Sequence, residues 1–377
     1  MRSWFWLAVL VLSGLCMSVS PADAPAQGSD VVRFARGDFA GLVGIGHGRR
    51  MYLECHGRGR PTVVLEAGLR SRGDFWMPTE DTRGRAVVPG VARFTRVCIL
   101  DRPGTTLGTS DFSRSDPVPM PRTARDAAAD LHALLRAARV PGPYVLGGHS
   151  TGGLVVRLYA STYPKQVVGL VQVDALNEFI QRRWPPWCAP CRSGFTRAQM
   201  AAFDELNNGP IPELASYKDL EQVLFRPSFA QMRRAVEAHP LRKMPVTVIS
   251  RGVAAPPLPD GLPGGLTSAV HERAWRGGQA KLVKVLDARH VIAKRSQHYI
   301  MFSEPGVIVR AIRGVVQAVR REAGGSRIAQ RPSWVPDRNL ASGCSSWNRH
   351  RRVCTAGRRL GGGDAFGPLP AKLEPRA

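Results

Sequence analysis

The feature that most restricts this chain is a serine set between glycines, Gly148-His149-Ser150-Thr151-Gly152, at a junction of strand and helix. The apolar run Tyr144-Val145-Leu146 before it reads as a buried strand. The run from Leu154 to Tyr159 after it suits a helix, ended by Pro164. A strand that turns straight into a helix must bend sharply. Side chains at positions 148 and 152 would then collide with neighbouring backbone, which explains the glycines. The turn lifts the serine hydroxyl to the C-terminal edge of a sheet, at the N-terminus of a helix. The five-residue pattern is weak on its own; this setting makes Ser150 a candidate nucleophile.

The rest of the chain alternates in the same way. Met51–Cys55, Pro61–Glu66 and Val97–Asp101 read as strands, and Thr123 caps a helix running to Arg139 with Ala127, Leu131, Leu134 and Leu135 on one face. Val167–Val173 is another strand. After 176–243, which holds helical stretches and no clear strand, come a strand at Val246–Ser250, a helix at Leu266–Leu286, a strand at His290–Ala293 and a helix at Val307–Arg320. Such alternation predicts an α/β fold, a mostly parallel sheet with helices on both faces. Residues 27–50 read as a Gly-rich lead-in. The chain beyond about residue 322 is basic, rich in Gly, Ser and Pro, and is expected to be a disordered tail.

A serine needs a base. Among nine histidines, His298 in Ser296-Gln297-His298-Tyr299-Ile300 follows the last strand and precedes the last helix, so a loop at the sheet's working edge carries it. His149 is expected to point elsewhere in the turn, His290 to be structural, and His47 and His56 to precede the working edge. The base needs a carboxylate to hold its tautomer and stabilise the imidazolium. Asp174, at the end of Val167–Val173, is the favoured acid. Asp260, in the Pro-rich loop after Val246–Ser250, and Glu178 are the alternatives.

These segments resemble the α/β-hydrolase fold serine hydrolases over about residues 37–321. The resemblance is carried by Leu65-Glu66-Ala67-Gly68-Leu69, Leu100-Asp101-Arg102-Pro103-Gly104, the turn at Ser150, Gly169–Ala175, Gln297-His298-Tyr299, and the order Ser, Asp, His. It implies a core of residues 37–175 and 244–321, with 176–243 inserted after the sixth strand as a helical cap. It implies an oxyanion hole from the backbone N–H groups of Thr151 and Leu69. In haloalkane-dehalogenase relatives the acid occupies the position of Asp174; those enzymes use Asp as nucleophile, so Ser150 argues against dehalogenation. The fold's sheet order also places Cys55 beside Cys98 and makes a bridge between them plausible.

The expected chemistry is hydrolysis of a small carboxylic ester or acyl substrate through an acyl-enzyme. An amidase or peptidase on the same triad, or a non-catalytic hydrolase-fold protein that binds acidic surfaces, are the alternatives. Trp184, Trp187, Phe195, Phe203, Leu224, Phe225 and Phe229 would give the cap an apolar surface over Ser150. No metal or cofactor is expected: Cys188 and Cys191 form a lone CxxC with no second ligand pair nearby, and read as a local disulfide.

Arg2, the uncharged stretch 4–17 and Ala24-Pro25-Ala26 read as a signal peptide, residues 1–26, so the protein is expected to be secreted after cleavage at Ala26. The alternatives are an uncleaved anchor and, from Cys16, a lipoprotein anchor, against which Leu15 stands where a small residue is wanted. The formal charge is +24, from 53 Lys and Arg against 29 acids. The basic residues neither cluster on one helix nor alternate with aromatics, so no specific nucleic-acid partner is expected, only weak contact with an acidic cell surface.

Overall fold

The computed structural model describes residues 38–77, 86–182 and 194–329. Strands β1 (Phe39–Gly46), β2 (Arg49–His56), β3 (Thr62–Glu66) and β4 (Val97–Leu100) come first. A small hairpin follows, β5 (Thr106–Leu107) and β6 (Asp111–Phe112). Then come β7 (Tyr144–His149), β8 (Val167–Val173), β9 (Val246–Arg251) and β10 (Arg289–Ala293). The helices are α1 (Val87–Ala92), α2 (Ala124–Ala137), α3 (Thr151–Thr162), α4 (Arg197–Asn208), α5 (Phe225–Ala238), α6 (Ser268–Val285), α7 (Ile300–Ser303) and α8 (Pro305–Ala329).

Eight strands form one sheet in the order β1-β2-β4-β3-β7-β8-β9-β10. From β4 to β10 every pair is parallel, and β2 runs against both of its neighbours. Alternate residues of the central strands feed two apolar layers, as the period of two requires. Val64, Leu146 and Leu170 meet Leu131, Leu134 and Val155 of α2 and α3. Val63, Leu65, Val145 and Val171 meet Val88 and Val91 of α1 and Ile308, Ile312 and Val315 of α8. This is the α/β fold expected from the alternation.

Several local expectations are met closely. Thr123 caps α2 in a reciprocal capping box with Asp126. Cys55 and Cys98 face each other in the β2–β4 register and are joined by a disulfide. The insertion between β8 and β9 holds α4 and α5, and β8 is the sixth strand of the main sheet in chain order. Trp184, Trp187, Cys188 and Cys191 lie outside the described residues, as do the signal segment and residues 330–377.

The lead-in is where the fold departs from expectation. Residues 39–46 form β1, paired antiparallel with β2 around the turn Gly46-His47-Gly48, where all three φ are positive. Gly41, Gly44 and Gly46 dilute the strand pattern, and β1 is an edge strand with one half-exposed face, so little hydrophobic alternation marks it. Helix α8 also continues to Ala329, several residues past the expected start of the tail.

Candidate active site

Ser150 sits between β7 and α3 with φ 50° and ψ −122°, a conformation that side-chain-bearing residues rarely adopt. The flanking glycines make it possible. A Cβ on Gly148 would lie 2.4 Å from the Gly152 carbonyl oxygen, and one on Gly152 would lie 2.4 Å from the Ala67 carbonyl oxygen. Hydrogen bonds hold the turn. Ser150 N–H donates to the Val173 carbonyl at 3.1 Å, and its own carbonyl accepts from Gly153 and Leu176 at 2.9 and 2.8 Å.

Asp174 leaves β8 with φ 39°, so the strand ends in a sharp turn that aims the carboxylate along the sheet edge. Its backbone N–H donates to the Ile249 carbonyl at 2.7 Å. The carboxylate is fully buried and surrounded by donors. Oδ2 is 2.7 Å from His298 Nδ1 and accepts from Arg251 Nη1 at 2.8 Å; Oδ1 accepts from Trp275 Nε1 at 3.0 Å and from Arg251 N–H at 3.3 Å. Burial would raise its pKa, but the His298 hydrogen bond and charge, Arg251 and Trp275 outweigh burial and hold it well below the usual carboxylate range. An ionised Asp174 requires a proton on His298 Nδ1, which leaves Nε2 as the basic nitrogen.

Ser150 and His298 line one cavity of about 300 Å³. Its walls come from the turn after β3 (Leu69), the start of α3 (Thr151), the insertion (Phe203, Phe225) and α6 (Trp275). Thr151 is the first residue of α3, so its N–H has no acceptor within the helix. Thus the five site residues expected from the sequence, Ser150, His298, Asp174, Thr151 and Leu69, converge on one place. The two alternative acids do not join them: Asp260 is exposed in its loop, and Glu178 is ion-paired with Arg157. His290 Nε2 is 2.9 Å from Ser250 Oγ, and His56 pairs with Glu54.

His149 does turn away from the cavity, yet it is not idle. It is buried, and its Nε2 lies 3.0 Å from the His298 carbonyl oxygen. Burial first, then the neighbouring His298, push its pKa down to about 3. A neutral ring must donate from Nε2 to that carbonyl, so His149 props the backbone that carries His298. Gly68 makes room for it: a Cβ there would lie 2.8 Å from His149 Nδ1.

A second set of residues, beside the turn that carries Leu69, was not legible beforehand. Arg102, just after β4, is buried and threads five hydrogen bonds. Nη1 donates to Glu66 Oε2 (2.8 Å) and the Ala67 carbonyl (2.9 Å), Nη2 to the Gly68 carbonyl (2.6 Å) and Glu221 Oε2 (3.0 Å), and Nε to Glu221 Oε1 (2.6 Å). Glu221, from the segment between α4 and α5, also accepts from Arg70 N–H at 2.6 Å. The turn holding Leu69 is therefore pinned on both sides by one buried ion cluster. Burial opposes the charge on Arg102, but Glu221 and Glu66 more than offset it and raise its pKa. Glu66 is pushed up to about 7 by burial, with Arg102 opposing. Arg102 stood in a segment of recognised pattern, but no pattern marked Glu221 or Arg251, whose partners come from distant segments.

The model of the alpha/beta hydrolase family matches residues 55–311. An uncharacterized Schizosaccharomyces pombe protein is 30% identical over 146 residues, 33% of this chain and 26% of that protein. The uncharacterized protein YqjL of Bacillus subtilis is 24% identical over 268 residues, 70% of this chain and 86% of YqjL. A putative carbamate hydrolase, RutD, of Serratia proteamaculans is 32% identical over 127 residues, 33% of this chain and 42% of RutD. The chain thus spans about a quarter of the fission-yeast relative and under half of RutD. With the matched segment covering most of the sheet and both ends of the site, the chain belongs to the alpha/beta hydrolase family.

Proposed function

We propose that this protein is a secreted serine hydrolase that cleaves small carboxylic esters through an acyl-enzyme. Ser150 Oγ attacks the ester carbonyl while His298 Nε2 takes its proton. Asp174 stabilises the imidazolium, and the N–H groups of Thr151 and Leu69 receive the developing oxyanion. His298 then returns the proton to the departing alkoxide. Water, activated by the same imidazole, attacks the acyl-enzyme and frees Ser150 and the carboxylic acid. The observation that carries this reading is the 2.7 Å contact between His298 and the buried Asp174 carboxylate, at the rim of a cavity that holds Ser150.

The cavity of about 300 Å³ and its Phe203, Phe225 and Trp275 walls favour a compact apolar acyl group over a charged one. Residues 176–243 act as the cap that excludes water and selects the acyl group. The putative carbamate hydrolase relative supports a second reading, with a C–N bond cleaved by the same residues. The N-terminal pattern supports export with cleavage after Ala26, and the +24 charge supports weak contact with an acidic cell surface.

The test is turnover of activated acyl esters, matched anilides and carbamates by wild type and Ser150→Ala. Ester turnover that Ser150→Ala loses supports the reading. Faster carbamate or anilide cleavage moves it to the C–N alternative, and full turnover in Ser150→Ala overturns both.

A further inference from the structure

Asp174 has more partners than a catalytic histidine requires. Arg251, the last residue of β9, is 3% exposed and gives Asp174 two donors, one from its backbone and one from its guanidinium. The guanidinium bonds the oxygen that also faces His298 Nδ1. Its other end, Nη2, donates to Glu272 Oε2 of α6 at 2.7 Å. Trp275, three residues further along α6, completes the cage: its indole N–H bonds Asp174, the Arg251 guanidinium lies 5.1 Å from its ring, and the ring meets His298 edge-on at 5.3 Å.

An aspartate alone beside a histidine favours the protonated imidazolium. A positive charge on the same carboxylate oxygen counters that preference. The other groups around this centre do not replace Arg251. His149, on the β7 side, is buried and neutral, 4.5 Å from the His298 ring. On α6, His271 is pushed down to about 4 by burial first and by Arg251 next, and so is neutral as well. Among the described residues, Glu272 is the anion that pairs with Arg251 besides Asp174, with Arg276 behind it at the surface. Tyr299, beside His298, has its hydroxyl pKa raised by burial and stays uncharged.

We infer that Arg251 is a positioning residue that fixes the Asp174 carboxylate against His298 and, through that shared carboxylate, extends hydrolysis to more acidic pH than an Asp–His pair alone would allow. The inference rests on the proposed roles of Ser150, His298 and Asp174. Glu272 acts in the opposite sense, because it draws part of the guanidinium charge away from Asp174.

The experiment is the pH profile of kcat/KM on an activated ester for wild type, Ser150→Ala, Arg251→Gln, Arg251→Lys and Glu272→Gln. The acid limb of Arg251→Gln should move up by about one pH unit. That of Glu272→Gln should move down by roughly half a unit, because the charge on Arg251 is then less compensated. Arg251→Lys keeps the charge without the fork, so its acid limb should stay near wild type while kcat falls. A purely structural role would lower kcat without moving the limbs in opposite directions, and static limbs overturn the inference. If Arg251→Gln does not fold, Glu272→Gln decides alone: a downward shift supports the inference and a static limb overturns it. Turnover surviving in Ser150→Ala overturns the underlying reading together with this one. Turnover lost there, with static limbs, overturns this one only.

Discussion

Glu221 reaches Arg102 across 119 residues of sequence, both oxygens of its carboxylate bonded to one guanidinium at 2.6 and 3.0 Å. That pair joins the segment between α4 and α5 to the turn after β3 that carries Leu69. An ion pair this deep is costly to break from one side, because Arg102 stays buried beside Glu66 without the carboxylate that met it twice. Glu221→Ala should destabilise the fold by about 3–5 kcal/mol. Without Glu221 to accept from the Arg70 N–H and to anchor the Arg102 guanidinium, the turn should hold the Leu69 N–H less firmly, so kcat should fall more than KM rises. Urea unfolding and steady-state kinetics on the same variant check both; unchanged kcat in a folded Glu221→Ala would separate the cluster from catalysis.

The aromatics of the insertion divide into two groups. Phe203 lines the cavity with Ser150, while Phe229 is fully buried in the core shared with α2 and α3. Phe229→Ala should cost about 3–5 kcal/mol of stability and leave relative kcat/KM across an acyl series unchanged. Phe203→Ala enlarges the cavity and should shift preference towards longer acyl chains, by roughly 10-fold for a one- or two-carbon extension. An acyl-ester series with parallel thermal melts distinguishes them.

His149 makes the fold sensitive to acid. Its folded pKa, about 3, lies below the ordinary 6.5. Between those values the unfolded chain binds a proton that the folded chain does not, so stability falls as pH drops from 6.5 towards 3. The slope from this one group approaches about 1.4 kcal/mol per pH unit in the middle of that window. His149→Gln should flatten the decline measured by urea unfolding at pH 6.5 and 5.0. An equally steep decline in the variant would remove His149 as its source.

The choice of acid can be tested by neutral isosteres. Asp174→Asn should lower kcat by about 10⁴, because an amide no longer stabilises the imidazolium. Asp260→Asn, at an exposed loop position, should leave kcat within a factor of two of wild type, the scale of surface substitutions. A dead Asp260→Asn would reverse the assignment.

How much of this was legible in the sequence depended on whether the determinant was local. The turn at Ser150 is written in five consecutive residues, because its constraint is steric and falls on its own neighbours. Asp174 and His298 could be placed by counting strands. Strand β1 was not legible: its glycines dilute the apolar alternation of Phe39, Val43 and Ile45, and its pairing with β2 is what makes it a strand. Arg251 and Glu221 were hidden for a related reason. In one dimension each is an isolated charge in a chain with 53 basic and 29 acidic residues, and the partner that joins it to the site, Asp174 for Arg251 and Arg102 for Glu221, is more than 70 residues away. The hold of His149 on the His298 carbonyl was hidden as well, because it depends on two loops meeting.

The most direct measurement is intact-mass and peptide analysis of the folded protein after reaction with a serine-reactive fluorophosphonate. The account predicts a single adduct, on the peptide containing Ser150, that forms in wild type and is absent from Ser150→Ala. It predicts slower labelling in His298→Ala, because the hydroxyl loses its base. No adduct on the active, folded protein, or labelling that persists undiminished in Ser150→Ala, would contradict it.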